Sequence, residues 1–269
     1  MGRYNMLFHE ASLAAAIIIP ARYGSTRFPG KPLARQTGKF LIQHVVEQAS
    51  KAKRAGHVIV ATDDPRIMEA VKGFGGTAVM TREDHQSGTD RIAEVIGRKE
   101  YAGVEVVVNV QGDEPEIEPG LIDELIGVLE HNPLADLATA AVKFERVADL
   151  ANPNMVKVVT DRAGFGLYFS RSVIPYDRIG GVARAKDAVF LTPPYRKHLG
   201  IYAYRRRALM TLSASAVCEL EKLEKLEQLR ALYLGMKIHV TFANYGPHGI
   251  DTPEDYAAFV ERYNRGSGF

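Results

Sequence analysis

The chain has 269 residues, is 46% hydrophobic and carries a formal net charge of +2. That length allows one or two domains with a sizeable core, and the near-neutral balance excludes a broad field that would gather nucleic acid or an anionic membrane. The single cysteine, Cys218, excludes an internal disulfide framework and a four-cysteine zinc site, and it suits a reducing cytoplasm.

Residues 1–14 read as a loose extension. Their apolar "LAAAIII" edge is short, and His9 and Glu10 stand where a secretion signal would carry positive charge. No stretch approaches about 18 consecutive apolar residues, so no membrane span is expected. From residue 14 the pattern is regular. "AAAIII" (14–19) predicts a buried strand. Leu41, Val45, Ala49 and Ala52 recur at helical spacing, with Gly56 as the stop. "HVIVAT" (57–62) predicts a second strand, and the segment from Asp64 and Pro65 a helix opened by its proline. "TAVMT" (77–81) and "VEVVVNV" (104–110) predict strands, with helices over 88–99 and 119–132. Strand and helix alternate with short links, which predicts an α/β domain on a mainly parallel sheet.

The rhythm changes at residue 137. "LATAAV" (137–142), "MVKVVT" (155–160) and "FGLYFS" (165–170) are short strands, followed by a Gly- and Pro-rich stretch over 178–194. Alternation returns with "LGIYAY" (199–204), a helix near 219–235, the strand "KIHVTFA" (237–243) and a last helix from Pro253. A single α/β domain over 15–269 is therefore expected, interrupted by a β-rich insertion over 137–198.

In open α/β sheets ligands bind beyond the carboxyl ends of the strands. Two unusual loops lie at that edge. The first, "PARYGSTRFPGKPL", sets Arg22, Ser25, Arg27 and Lys31 among glycines, a combination that lets backbone N–H groups and cations cradle phosphate. It is no Walker A loop, because Pro32 follows the lysine where Ser or Thr is required. A magnesium ion would then need carboxylates from elsewhere. "NVQGDEP" offers Asp113, and "GIDTPED" offers Asp251.

Plainer readings stand beside these. Asp113 fits an ordinary Gly-Asp turn. Thr252, Pro253 and Asp255 form a capping box that Asp251 merely adjoins. In "DHQSGTDR", Ser87 or Thr89 would cap a helix, or the helix N-terminus would hold an anion. His198, four residues before Tyr202, fits a structural histidine, and Glu227 and Gln228 fit a solvated helix face.

Taken together, "IIIPARYGSTRFPGKPL", "MTREDHQSGTDRIAEV", "VNVQGDEP", "NPNMVKVV", "LYFSRSVIPYDR", "RKHLGIYAYR", "LEKLEQLRAL" and "DTPED" resemble the 3-deoxy-manno-octulosonate (Kdo) cytidylyltransferases, in order over residues 16–257. The PAR…STR…PGKP loop is shared with other nucleotidyltransferases, whereas "DHQSGTDR", "HLGIYAYR" and "LEQLR" narrow the likeness to the Kdo enzymes. The resemblance implies a nucleotidyltransferase Rossmann-like three-layer sandwich with a mainly parallel mixed sheet, whose β-rich insertion makes a homodimer. It implies a Mg²⁺-dependent reaction of CTP with Kdo to give CMP-Kdo and pyrophosphate for lipopolysaccharide biosynthesis; sialic acid or amino-Kdo are the alternative acid sugars. It places Arg22, Lys31 and Asp113 in catalysis, and Arg22, Ser25, Arg27, Lys31, Ser87 and Gln111 on CTP. Gln111, Arg171, His198, Tyr202, Glu227 and Gln228 would hold the sugar, and Asp113 and Asp251 the metal. The chain departs from the family at "GPHG", which sets His248 beside the presumed metal ligands.

Overall fold

The computed structural model describes residues 13–24, 27–178, 195–246 and 249–266. A seven-strand path with the order β3-β2-β1-β4-β8-β5-β9 forms the central sheet. Its strands are β1 (Ala15–Ala21), β2 (Ala55–Thr62), β3 (Thr77–Met80), β4 (Val106–Asn109), β5 (Leu137–Val142), β8 (Lys197–Arg205) and β9 (Ile238–Phe242). The β1–β2, β1–β4, β2–β3 and β5–β9 pairs are parallel, and only β8 is inverted, antiparallel to both β4 and β5.

Ile17, Ile18 and Ile19 are all fully buried, because successive strand residues face opposite sides of a sheet covered on both. Ile17 and Ile19 meet Ile42, Val45, Leu125 and Ile126, from α1 (Leu41–Ala49) and α4 (Pro119–His131). α2 (Pro65–Gly73) adds Ile67 and Val71 to that face. Ile18 meets Ile92, Leu209 and Leu229 on the other side, from α3 (Gly88–Ile96), α5 (Arg206–Ala214) and α7 (Gln228–Tyr233). The result is the expected three-layer α/β arrangement. The last helix, α8 (Pro253–Asn264), packs Tyr256 and Phe259 on Leu41 at the start of α1.

Several boundaries differ from the sequence expectations. α1 stops at Ala49, and Gly56 lies inside β2 rather than ending the helix. α5 was not expected at all. The single helix expected over 219–235 is two, α6 (Glu219–Glu224) and α7, broken where Lys225 turns left-handed at φ 51°. β5 and β8 lie inside the main sheet, so a boundary at 137 cuts through it. What stands off the seven-strand path is the antiparallel pair β6 (Lys157–Thr160) and β7 (Gly166–Ser170), joined to β8 through Lys157 and Lys197. Residues 1–12 of the extension, and 179–194 of the insertion, lie outside the described residues.

Candidate active site

Because β1, β2, β3, β4, β5 and β9 all run the same way, their carboxyl ends share one edge, and inverted β8 begins there. Arg22 and Lys31 follow β1, Ser87 follows β3, Gln111 and Asp113 follow β4, and His198 and Tyr202 lie on β8. A small cleft of about 170 Å³ at this edge is lined by Arg22, Gly24, Lys31, Gln111 and Asp113 among others.

Close backbone contacts hold the two loops together. A Cβ on Gly112 would meet the Pro20 carbonyl at 2.8 Å, so only glycine lets the β4 loop approach β1. Gly30 sits at φ 70°, and a Cβ there would press on the Tyr23 ring at 3.1 Å. Tyr23 in turn carries the Arg66 guanidinium 3.3 Å above its ring centroid.

Lys31 Nζ donates to Asp113 Oδ2 at 2.6 Å and to the Ile250 carbonyl at 2.6 Å. The Ile250 amide donates to the Asp113 carbonyl at 2.9 Å. Those contacts bring the β4 loop and the segment before α8 side by side, with Asp251 next along that segment. Asp251 Oδ1 accepts from Arg27 at 2.8 Å. The capping box is also present: Thr252 Oγ1 accepts from the Asp255 amide, and Asp255 Oδ2 accepts from the amides of Thr252 and Asp251. The cap expected for this segment is therefore formed, and the Asp251 side chain, which takes no part in it, meets Arg27. Ser25 and His248 lie outside the described residues.

Arg22 donates to the His85 carbonyl at 2.7 Å. Ser87 caps α3, its Oγ accepting from the Asp90 amide at 3.1 Å. Gln111 donates through Nε2 to the Gly200 carbonyl at 3.3 Å, tying the β4 loop to β8.

On the α3 and α7 face, His198 packs edge-on against Phe169 at 5.1 Å and tilted against Tyr202 at 5.3 Å. Its Nε2 meets Thr139 Oγ1 at 3.0 Å. Burial pushes the imidazole down to about 3, although one edge of the residue still reaches solvent. Tyr202 is buried, and burial raises its phenol well above the ordinary range. Glu227 and Gln228 are not on a solvated face. Gln228 is buried, and Glu227 accepts from Thr89 Oγ1 and from Arg230. Arg171 is engaged with main chain, donating to the carbonyls of Pro153, Glu224 and Lys225. Three of its five N–H donors are engaged in this way.

Two groups in these motifs carry weight that the sequence did not reveal. Glu114 is buried, and its Oε2 has no hydrogen-bond partner among the described residues. Burial first, then the Asp113 charge, push it up to about 8 against the pull of Lys197. Arg91, the last residue of "DHQSGTDR", is fully buried and donates to Asp63 at 2.5 Å and to Thr81. Burial was the hidden signal in both cases.

A cation-bearing loop and two carboxylates at the carboxyl edge of an α/β sheet define a nucleotidyltransferase-type site, and the family model "Cytidylyltransferase" matches residues 16–238. The 3-deoxy-manno-octulosonate cytidylyltransferase of Pseudomonas syringae pv. tomato is 51% identical over 94% of this chain and 97% of its own. That of Geobacter sulfurreducens is 48% identical over 91% and 97%. The chain belongs to the 3-deoxy-manno-octulosonate cytidylyltransferase family. A solved CMP:2-keto-3-deoxy-manno-octonic acid synthetase complexed with CTP superposes with a TM-score of 0.85, at 42% identity over 94% of this chain and 99% of that one. The 4-diphosphocytidyl-2C-methyl-D-erythritol synthase of Anaerococcus prevotii, 15% identical with a TM-score of 0.61, shares the fold.

Proposed function

We propose that this protein transfers CMP from CTP to the anomeric hydroxyl of Kdo, releasing pyrophosphate, as a cytoplasmic step toward lipopolysaccharide. One observation carries the assignment of the site: Lys31 bridges Asp113 and the carbonyl beside Asp251, so a phosphate-binding cation and two hard oxygen donors meet at one sheet edge.

The sugar hydroxyl attacks the α-phosphorus in line, loses its proton, and the bond to the pyrophosphate oxygen breaks. Such a transfer depends on positioning and charge neutralisation more than on covalent help from the protein. Arg22 and Lys31 face the triphosphate, with Arg27 beside them. Gln111 lies between nucleotide and sugar. Arg171, His198, Tyr202, Glu227 and Gln228 surround the acid sugar, where arginine offers a carboxylate two parallel hydrogen bonds.

The donor set suits magnesium. Asp113 and Asp251 would supply carboxylate oxygens, and Mg²⁺ takes one or two carboxylates with the rest of its shell from phosphates and water. When bound it would neutralise phosphate charge as the bond to pyrophosphate breaks.

A homodimer through the β6–β7 hairpin accords with Leu167, which is 61% exposed on β7. Cytoplasmic placement accords with the absence, among the described residues, of any helix long and apolar enough to cross a membrane.

Substrate choice is tested by offering Kdo, amino-Kdo and a sialic acid together with limiting CTP and separating the nucleotide sugars formed. CMP-Kdo is expected to dominate. CMP-sialic acid as the main product would keep the chemistry and overturn the substrate.

A further inference from the structure

Arg22 stands on an exposed loop, yet its guanidinium has a defined direction, set by the 2.7 Å hydrogen bond to the His85 carbonyl. That carbonyl belongs to a segment whose other residues, Arg82, Glu83, Asp84 and Gln86, are all exposed. Only His85 is buried there, its side chain 4% accessible. An exposed loop with one buried ring is fixed by whatever grips the ring.

The grip comes from Glu94 on α3. Its Oε2 meets His85 Nε2 at 2.5 Å and accepts from the Arg82 amide at 3.0 Å, and its Oε1 accepts from Arg98 at 3.3 Å. Arg98 also donates to the Met80 carbonyl, anchoring the same helix to the end of β3. One carboxylate therefore ties both ends of the 82–85 segment to α3. An ionised carboxylate only accepts hydrogen bonds, so Nε2 of His85 is the protonated nitrogen. Burial works against that charge, but the Arg82 amide, His85 and Arg98 outweigh it and hold Glu94 below the ordinary carboxylate range.

We propose that Glu94, acting through His85, is a positioning residue that sets the Arg22 guanidinium for the CTP phosphates. A free arginine loses side-chain entropy when it docks on a phosphate, and a guanidinium already oriented loses less. The inference rests on the proposed function for what Arg22 binds. Neither Glu94 nor His85 needs to touch substrate.

The test is a double-mutant cycle on the full-length protein with Mg²⁺, CTP and Kdo. Glu94→Gln keeps the size of the side chain and removes the charge. It is expected to raise KM for CTP about fivefold while KM for Kdo stays within about twofold. In the Arg22→Ala background, adding Glu94→Gln is expected to change KM for CTP by less than about twofold, because the group it positions is gone. The His85 series supplies a second route should Glu94→Gln fold poorly. His85→Gln, which can still donate to Glu94, is expected to keep CTP affinity, and His85→Phe to lose it to the same extent as Glu94→Gln. An equal loss from Glu94→Gln with and without Arg22 overturns the inference, as does an unchanged KM for CTP in both Glu94→Gln and His85→Phe. If Arg22→Ala alone leaves KM for CTP and turnover intact, the assignment of Arg22 to CTP falls, and this inference falls with it.

Discussion

Lys31 Nζ sits 2.6 Å from Asp113 Oδ2, in a pair whose side chains are 12% and 30% accessible. The ammonium comes from the β1 loop and the carboxylate from the β4 loop, so the contact closes the site across two strands remote in sequence. A pair this open to water contributes about 1 kcal/mol to stability. On the proposed function its chemical value is larger, since Lys31 would meet the triphosphate and Asp113 its metal.

Lys31→Ala and Asp113→Ala are therefore expected to separate activity from folding. Turnover at saturating CTP and Mg²⁺ should fall about 100- to 1,000-fold, the scale seen when a donor to developing charge is removed. The melting temperature should drop by only about 2–4 °C. Steady-state rates and calorimetry check this, and a near wild-type rate in either variant would contradict it.

Chelation should abolish pyrophosphate release, and added Mg²⁺ should restore it. Asp251→Asn removes a carboxylate charge while leaving the capping box of Thr252 and Asp255 in place. It should raise the Mg²⁺ concentration needed for half-maximal rate at least about tenfold. Mn²⁺ titrated in the presence of CTP and followed by its spin resonance should show the same weakening, independently of turnover.

Arg91→Met should destabilise the protein by about 3 kcal/mol, because it strands Asp63 without its partner in a mostly buried place. Urea unfolding measures this. A loss below about 1 kcal/mol would mean that the Arg91–Asp63 pair does not anchor the start of α3.

His198 sets part of the acid limit. Its folded-state value lies far below that of an exposed histidine, so between about pH 6.5 and the folded value the unfolded chain binds the extra proton. Stability therefore falls as pH drops through that window, by up to about 1.4 kcal/mol per pH unit from this group. His44 and His239, also lowered by burial, add in the same direction. His198→Gln should flatten the acid side of a stability–pH profile while leaving its neutral region unchanged in slope.

Leu167→Glu places a charge on the exposed face of the β6–β7 hairpin. Sedimentation should show a shift from dimer to monomer at micromolar concentration. An unchanged sedimentation coefficient would contradict the proposed homodimer through this hairpin.

Much of the fold was legible because β1 and β4 are built on apolar runs, Ile17 to Ile19 and Val106 to Val108, and such runs need cover on both faces. Which strand runs against the others was not. Nothing in "LGIYAY" distinguishes a parallel strand from the inverted β8, since both present the same buried side chains. The split between α6 and α7 was equally hidden. Leucines at 220, 223, 226 and 229 continue a helical stripe, yet Leu223 is 80% exposed and Leu229 fully buried. The left-handed turn at Lys225 sits between them, with the carbonyls of Glu224 and Lys225 taken by Arg171, just past the end of β7. α5 escaped notice because its N-cap, Arg205, is no capping residue type and makes no side-chain cap. Arg205 and Arg206 instead satisfy the carbonyls ending α4 and α3, at Leu129 and Ile96.

For the site, position along the sheet edge could be read from the strand pattern. Partners could not. Thr89 and Glu227 are 138 residues apart in sequence, and their hydrogen bond removes Glu227 from the solvated face its spacing implied. The pairing of Lys31 with Asp113, and of Arg27 with Asp251, is likewise a product of tertiary structure, although each residue type already marked phosphate or metal chemistry.

The most direct test is pyrophosphate release with Mg²⁺, CTP and Kdo, run beside ATP and UTP as nucleotide controls and beside reactions lacking sugar. The account predicts release with CTP and Kdo together, stoichiometric with CMP-Kdo, and none from CTP alone. No release with CTP and any acid sugar would contradict it.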